Sequence, residues 1–175
     1  PHALVSVAPS ADAVIMDVGF SGTDICVIRN DALVATDWVP FGGHFFTQSL
    51  AQSAQMTMTE AQSMKHGYTT GTLSPVEMEN VFRDLKKPLR RWFTAILEVL
   101  DTFAIDRPLP RYIYLTGAAS QLPGLDRTLK FAPALFEAVP EIDRLGRQSL
   151  PYVKDLTDDM NYNQMALALS LVIGL

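Results

Sequence analysis

The run Ala13-Val14-Ile15-Met16-Asp17-Val18-Gly19-Phe20-Ser21-Gly22-Thr23-Asp24 constrains this chain more than any other segment. Apolar, partly β-branched residues from Ala13 to Val18, interrupted at Asp17, predict a buried strand. Two glycines then permit a tight reversal. Thr23-Asp24-Ile25-Cys26-Val27-Ile28-Arg29 reads as a returning strand. Asn30-Asp31 tolerate positive φ and predict a second reversal, into a strand over 32–39. The chain therefore opens as a three-stranded meander. Its first turn combines a hydroxyl, two carboxylates and small residues that let backbone N–H groups approach an anion. Asp17 is suited to hold Mg²⁺ through water, and Thr23 to donate to a phosphate. Read alone, the segment is also a plain hairpin that uses Asp and Gly for turn geometry.

Pro40-Phe41-Gly42-Gly43 breaks the third strand, and a helix is predicted from about Phe45 to Gln55. Thr59 can cap a second over 60–65, stopped by Gly67. Ser74 as N-cap, Pro75 at the first position and Glu77 at the third start a long helix to Phe103. Its stripe of Phe82, Leu85, Leu89, Trp92, Phe93, Ile96, Leu100 and Phe103 recurs at three- and four-residue steps apart from the adjacent Trp92-Phe93, and Trp92, Phe93 and Phe103 read as core. Pro88 predicts a kink or a split. Arg90-Arg91 reads as exposed. A fourth strand is expected over 111–116, a helix over 125–135 with a break at Pro133, and a last apolar helix over 161–175. The fifth strand is expected within 134–139. Meander, later strand and flanking helices make an α/β fold.

The chain has 175 residues, is 48% apolar and 19% charged, and carries a net charge of −5, which excludes wholesale disorder and gives no nucleic-acid footprint. One cysteine, Cys26, excludes an internal disulfide. No run reaches the roughly 18 apolar residues that span a bilayer. His2, His44 and His66 lack metal-ligand spacing. With Pro1 first, the chain is expected to be a piece of a longer one.

Two further segments bear on function. Thr116-Gly117-Ala118-Ala119-Ser120-Gln121-Leu122-Pro123-Gly124 is a strand end opening into small residues, the place where α/β folds bind ligands. Gly42-Gly43 precedes the helices that carry Gln62 and Lys65, which share one helix face and can hydrogen-bond a sugar or base. Alone, each also reads as an ordinary connection or a solvated polar pair.

Together and in this order, the Asp-x-Gly-x-x-x-Thr-Asp hairpin, the Gly-Gly, the Ala-x-x-x-Lys helix and the Thr-Gly-x-x-Ser-x-Leu-Pro-Gly-Leu loop resemble the second half of actin-like ATPases, in the branch of the pilus protein PilM and the division protein FtsA. The resemblance runs from about Val14 to Leu129. It implies a ribonuclease-H-like domain with a five-stranded mixed sheet, helices on both faces and a reduced IIB subdomain. It implies one domain-II unit over 1–175, with a IIA core at 13–58 and 104–175 and a small helical IIB-like part at about 59–103. It places Asp17, Gly19, Ser21, Gly22, Thr23 and Asp24 in a phosphate loop, with Asp17 on Mg²⁺ through water. Gly42, Gly43, Gln62, Lys65, Gly117, Ala118 and Ser120 fall on the adenosine side.

The chain departs from the family pattern at Ala118, where glycine is usual and a methyl crowds the base, and at Gln62, where glutamate is usual. It also lacks the first half of the fold, so no hydrolysis by this chain alone is expected. The resemblance implies an assembly or scaffold protein of a bacterial membrane-associated machine, most like PilM, carrying half of a cleft for ATP with Mg²⁺. Its partners would be other proteins and further copies of itself, and its place the cytoplasmic face of the inner membrane. The alternatives are an FtsA-type division protein, a sugar-kinase-like enzyme, or a nucleotide-free domain of a type II secretion platform protein.

Overall fold

The computed structural model describes residues 12–130 and 132–145. β1 (Ala13–Val18), β2 (Thr23–Arg29) and β3 (Ala32–Val39) form the expected antiparallel meander. Asn30 and Asp31 turn it at φ 50° and 58°. Three helices follow: α1 (Gly43–Ala54), α2 (Met58–Thr70) and α3 (Pro75–Phe103). The chain then re-enters the sheet as β4 (Tyr112–Thr116), makes a short α4 (Leu125–Leu129) and ends its described part in β5 (Glu141–Arg144). The sheet order is β3-β2-β1-β4-β5, with β4 parallel to β1 and β5 parallel to β4. This is the expected five-stranded mixed sheet.

The two-residue period of β1 sorts its side chains. Val14, Met16 and Val18 enter one core with Ile25, Val27, Ile113 and Leu115, under Phe46, Leu50, Leu85, Trp92 and Ile96 of the helices. Ala13 and Ile15, on the other face, are buried as well, so the central strand is withdrawn from solvent on both sides. The apolar run from Ala13 to Met16 follows from that double burial, and Asp17, half-buried near the strand end, interrupts it.

Several boundaries differ from the expectation. α2 starts at Met58 behind Thr57, not behind Thr59, because Thr57 and Glu60 form a reciprocal capping box. It does not stop at Gly67. That glycine is a packing residue: a Cβ there would lie 2.6 Å from Leu73 Cδ2. Gly71, at φ 71°, ends the helix instead. Pro88 does not split α3, which is continuous over 29 residues. Its missing N–H forfeits one bond to the Asp84 carbonyl, and the buried stripe on both sides of it holds the helix together. α4 is shorter than expected, and Pro133 opens a separate 3₁₀ turn to Leu135, with Ala132 before it out of the helical region.

The fifth strand is Glu141–Arg144 and not the apolar stretch within 134–139. An edge strand half open to solvent carries charges, so apolarity was the wrong guide. In the stretch before it, Phe136 makes only a bridge to Leu109, and Val139 is exposed. The helix expected over 161–175 lies outside the described residues.

Candidate functional site

The tip of the β1–β2 hairpin caps helix α1. Gly43 and His44 donate their N–H groups to the carbonyls of Gly19 and Phe20, each at 2.8 Å. Gly42 has no side chain to cap the helix, and it cannot have one: a Cβ would meet Gly19 O at 2.6 Å and both Gly22 N and Phe20 O at 2.7 Å. The Gly-Gly pair is therefore explained by close approach of two backbones. The helix also holds Phe46 and Leu50 in the core, which ties the hairpin tip to the hydrophobic interior.

The loop after β4 meets the same tip from the other side. Ala119 donates its N–H to Val18 O at 2.9 Å. Gly117 sits at φ 90°, and a Cβ there would lie 2.1 Å from Asp17 Oδ1. The Ser120 hydroxyl is buried and donates to Gly117 O at 2.8 Å, which closes the turn. Two parallel strands thus present their carboxyl ends, glycine-lined, beside the start of α1.

Between these loops and α2 lies an open cleft of about 390 Å³, within the range that holds small ligands. Gly19, Gly43, Gln62, Lys65 and Ala118 line it, so five of the anticipated residues come together. Lys65 Nζ donates to Gly43 O at 2.8 Å and to Thr47 Oγ1 at 2.6 Å. The Thr47 hydroxyl in turn donates to Gln62 Oε1 at 2.8 Å. Among the described residues no carboxylate pairs with Lys65, and burial pushes its ammonium below the ordinary lysine range. Gln121 Nε2 is buried at the cleft with no hydrogen-bond partner among the described residues.

Sequence reasoning missed His66, Thr69, Thr70, Phe20 and Gln121, which also line the cleft. A signal for three of them was present. His66 and Thr70 continue the Gln62 face at four-residue steps, and Thr69 continues that of Lys65. Ending the helix near Gly67 hid that continuation.

The other anticipated residues do not line the cleft. Thr23 and Asp17, grouped as one site, lie on opposite faces of the sheet. Thr23 pairs with Val18 and shares its core face, whereas Asp17 pairs with Asp24 on the other. The Thr23 hydroxyl donates to Phe41 O at 2.8 Å and accepts from Trp92 Nε1 at 2.9 Å. Its proton is thus committed inside the fold, and the expected donation to a phosphate is corrected on that ground. Gly22 lies beneath the Trp38 ring, and Ser21 is exposed at the tip. Burial, and then the facing Asp24, raise the Asp17 carboxyl above its ordinary value. A directly opposed like-charged pair is destabilising unless something cationic serves it. Among the described residues no group of three or more His, Cys, Asp or Glu forms a metal site. Two carboxylates suffice for a hydrated Mg²⁺ that is also held by phosphate.

A family model described as "Cell division protein FtsA" matches residues 14–170. The chain belongs to the FtsA family. No curated protein matches this FtsA-family chain. Among solved structures it is similar to the PilM-PilN type IV pilus biogenesis complex, with a TM-score of 0.74 and 18% identity over 99% of this chain and 48% of that one. It is also similar to the MamK double helical filament, with a TM-score of 0.66 and 17% identity over 99% and 57% of the two chains. MreB 5 of Spiroplasma citri bound to AMPPNP gives 0.66 and 11% identity over 98% and 56%. The FtsA-family chain spans about half the length of these structures. At such identities the likeness shows the fold, an actin-like, ribonuclease-H-like ATPase domain, as the hairpin and loop motifs implied.

Proposed function

We propose that this chain is one jaw of a nucleotide cleft in an actin-like assembly protein. The observation that carries the reading is the convergence of Gly19, Gly43, Gln62, Lys65 and Ala118 on one cleft at the carboxyl ends of β1 and β4. Lys65 offers a cation without a carboxylate partner among the described residues, and Gln121 Nε2 an unused donor. Both suit a ligand rich in acceptors, such as ATP. Gly42, Gly117 and Ser120 shape the walls, and Ser21 and Gly22 form the tip. Asp17 and Asp24 would hold a hydrated Mg²⁺, whose chemistry is to neutralise phosphate charge.

The 1–175 chain is proposed to act as one domain-II unit, with a IIA core at 13–58 and 104–175. The helical part at 59–103 shares its core, since Leu85, Trp92 and Ile96 pack with the sheet. By itself this unit is proposed to bind and not to hydrolyse. Its partners are proposed to be proteins of a membrane-associated machine at the inner face of the inner membrane, pilus-like before division-like. The likeness to the PilM-PilN complex supports that choice, and the MamK filament supports association between copies. No described helix is long and apolar enough to cross a membrane.

The test is titration of the full-length protein with a fluorescent ATP analogue and Mg²⁺. Saturable binding that weakens at least tenfold in Lys65→Ala supports the reading. No binding by the full-length protein would instead make this a nucleotide-free relative.

A further inference from the structure

A second concave surface lies away from the nucleotide cleft, between α1 and α3. Five of the chain's 14 lysines and arginines fall between residues 83 and 91, although the net charge is −5. They do not all face the same way. Arg83, Lys87 and Arg91 line the groove, opposite the polar Ser49, Gln52 and Ser53 of α1. Lys86 and Arg90 do not line it, and Lys86 lies over the Phe82 ring at 4.8 Å.

The groove is positive on balance. Its one carboxylate, Asp84, is mostly buried and is 3.6 Å from Arg83. Arg91 is held by two rings, its guanidinium 5.6 Å from the Phe41 centroid and 5.5 Å from that of Phe45. A cation fixed in this way loses little side-chain freedom when it meets an anion. Its apolar lining residues, Phe45 and Pro88, are half-buried and buried, so the floor offers hydroxyl and amide groups and not an exposed apolar wedge of the kind that enters a bilayer.

Spacing selects among anionic partners. Successive cations at four-residue steps are about 6 Å apart along a helix axis. In an extended peptide, side chains on one face recur about every 6.6 Å. An extended segment with acidic residues at alternate positions therefore places a carboxylate beside each cation. We infer that the α1–α3 groove is a docking site for an extended acidic segment of a partner protein, read by Arg83, Lys87 and Arg91. Ser49, Gln52 and Ser53 serve its backbone. This surface is independent of the nucleotide reading.

The experiment uses the full-length protein and a fluorescein-labelled peptide of alternating Asp and Ser, followed by anisotropy. A second peptide has the same composition with its Asp residues clustered. The expected result is saturable binding of the alternating peptide, several-fold weaker binding of the clustered one, and at least tenfold loss in the Arg83→Gln/Lys87→Gln double variant. The Lys86→Gln/Arg90→Gln double variant removes equal charge outside the groove and is expected to lose less than threefold. Both pairs are largely exposed, and circular dichroism checks that each variant is folded. Equal losses in the two double variants, equal binding of the two peptides, or no binding of either would each overturn the proposal. So would co-sedimentation with phosphatidylglycerol vesicles that depends on Arg83 and Lys87 while the peptide does not bind.

Discussion

The indole N–H of Trp92 donates to the Thr23 hydroxyl at 2.9 Å, across 69 residues of sequence, in a site with no solvent exposure at either residue. This bond joins the start of β2 to the middle of α3. The Thr23 hydroxyl in turn donates a hydrogen bond to Phe41 O, so the β1–β2 hairpin, the segment before α1 and α3 are latched at one hydroxyl. Trp92→Phe leaves the threonine oxygen without its donor and opens a small void. The expected cost is about 2–3 kcal/mol, from the unsatisfied acceptor and lost packing. Urea unfolding measures it. A loss below about 0.5 kcal/mol would show that the latch contributes little.

Gly117 tests the close approach of the loop after β4 to the end of β1. Alanine at φ 90° is strained, and its methyl would lie 2.1 Å from Asp17 Oδ1 and 2.7 Å from Val18 O. Gly117→Ala is expected to cost about 3 kcal/mol. Adding Asp17→Ala removes the first clash and leaves the second, so the double variant should recover part of the loss. Strict additivity in the double-mutant cycle would argue that the two residues do not meet.

Much of this arrangement was legible in the residues. The apolar run from Ala13 to Val18, interrupted at Asp17, marked a buried strand, and Asn30-Asp31 marked its meander, because few residues tolerate those turns. The Gly-Gly segment marked the end of β3 and the Thr-Gly segment the end of β4, whereas the close approach of two backbones at each is visible only in the fold. What the residues hid was parity and context. Asp17 and Thr23 look like one site in a linear reading, yet pairing across the hairpin sends them to opposite faces. Gly67 looks like a helix stop, yet the Leu73 side chain explains it. Glu141–Arg144 is a strand only because β4 offers it an edge, a fact no local pattern carries.

The opposed carboxylates of Asp17 and Asp24 make a pH prediction. Asp17 is raised above its ordinary value of 3.8, by burial first and by Asp24 second. A carboxyl raised on folding destabilises the folded state where it is ionised, above that raised value, and the penalty disappears as pH falls toward 3.8. Asp17→Asn should therefore melt higher than the parent at pH 7, with the gap closing on acidification. Mg²⁺ should raise the melting temperature of the parent more than that of the variant. A parent that is more stable than Asp17→Asn at pH 7 without Mg²⁺ would refute the electrostatic account.

Lys65 makes the complementary prediction for binding. Burial lowers its ammonium from 10.5, and no carboxylate among the described residues restores it. An anionic ligand favours the protonated form, so nucleotide affinity should be flat near neutrality and fall as pH rises through the lowered value, earlier than a free lysine would allow. Gln62→Glu supplies the carboxylate usual in the family two hydrogen bonds away, through Thr47. It should return Lys65 toward its ordinary range and move the alkaline fall to higher pH. It should also weaken binding at pH 7 severalfold, since the new carboxylate opposes the ligand's charge. Fluorescent-nucleotide titrations at a series of pH values, for the parent and Gln62→Glu, read both effects. Superimposable profiles for the two proteins would remove Lys65 from the binding site.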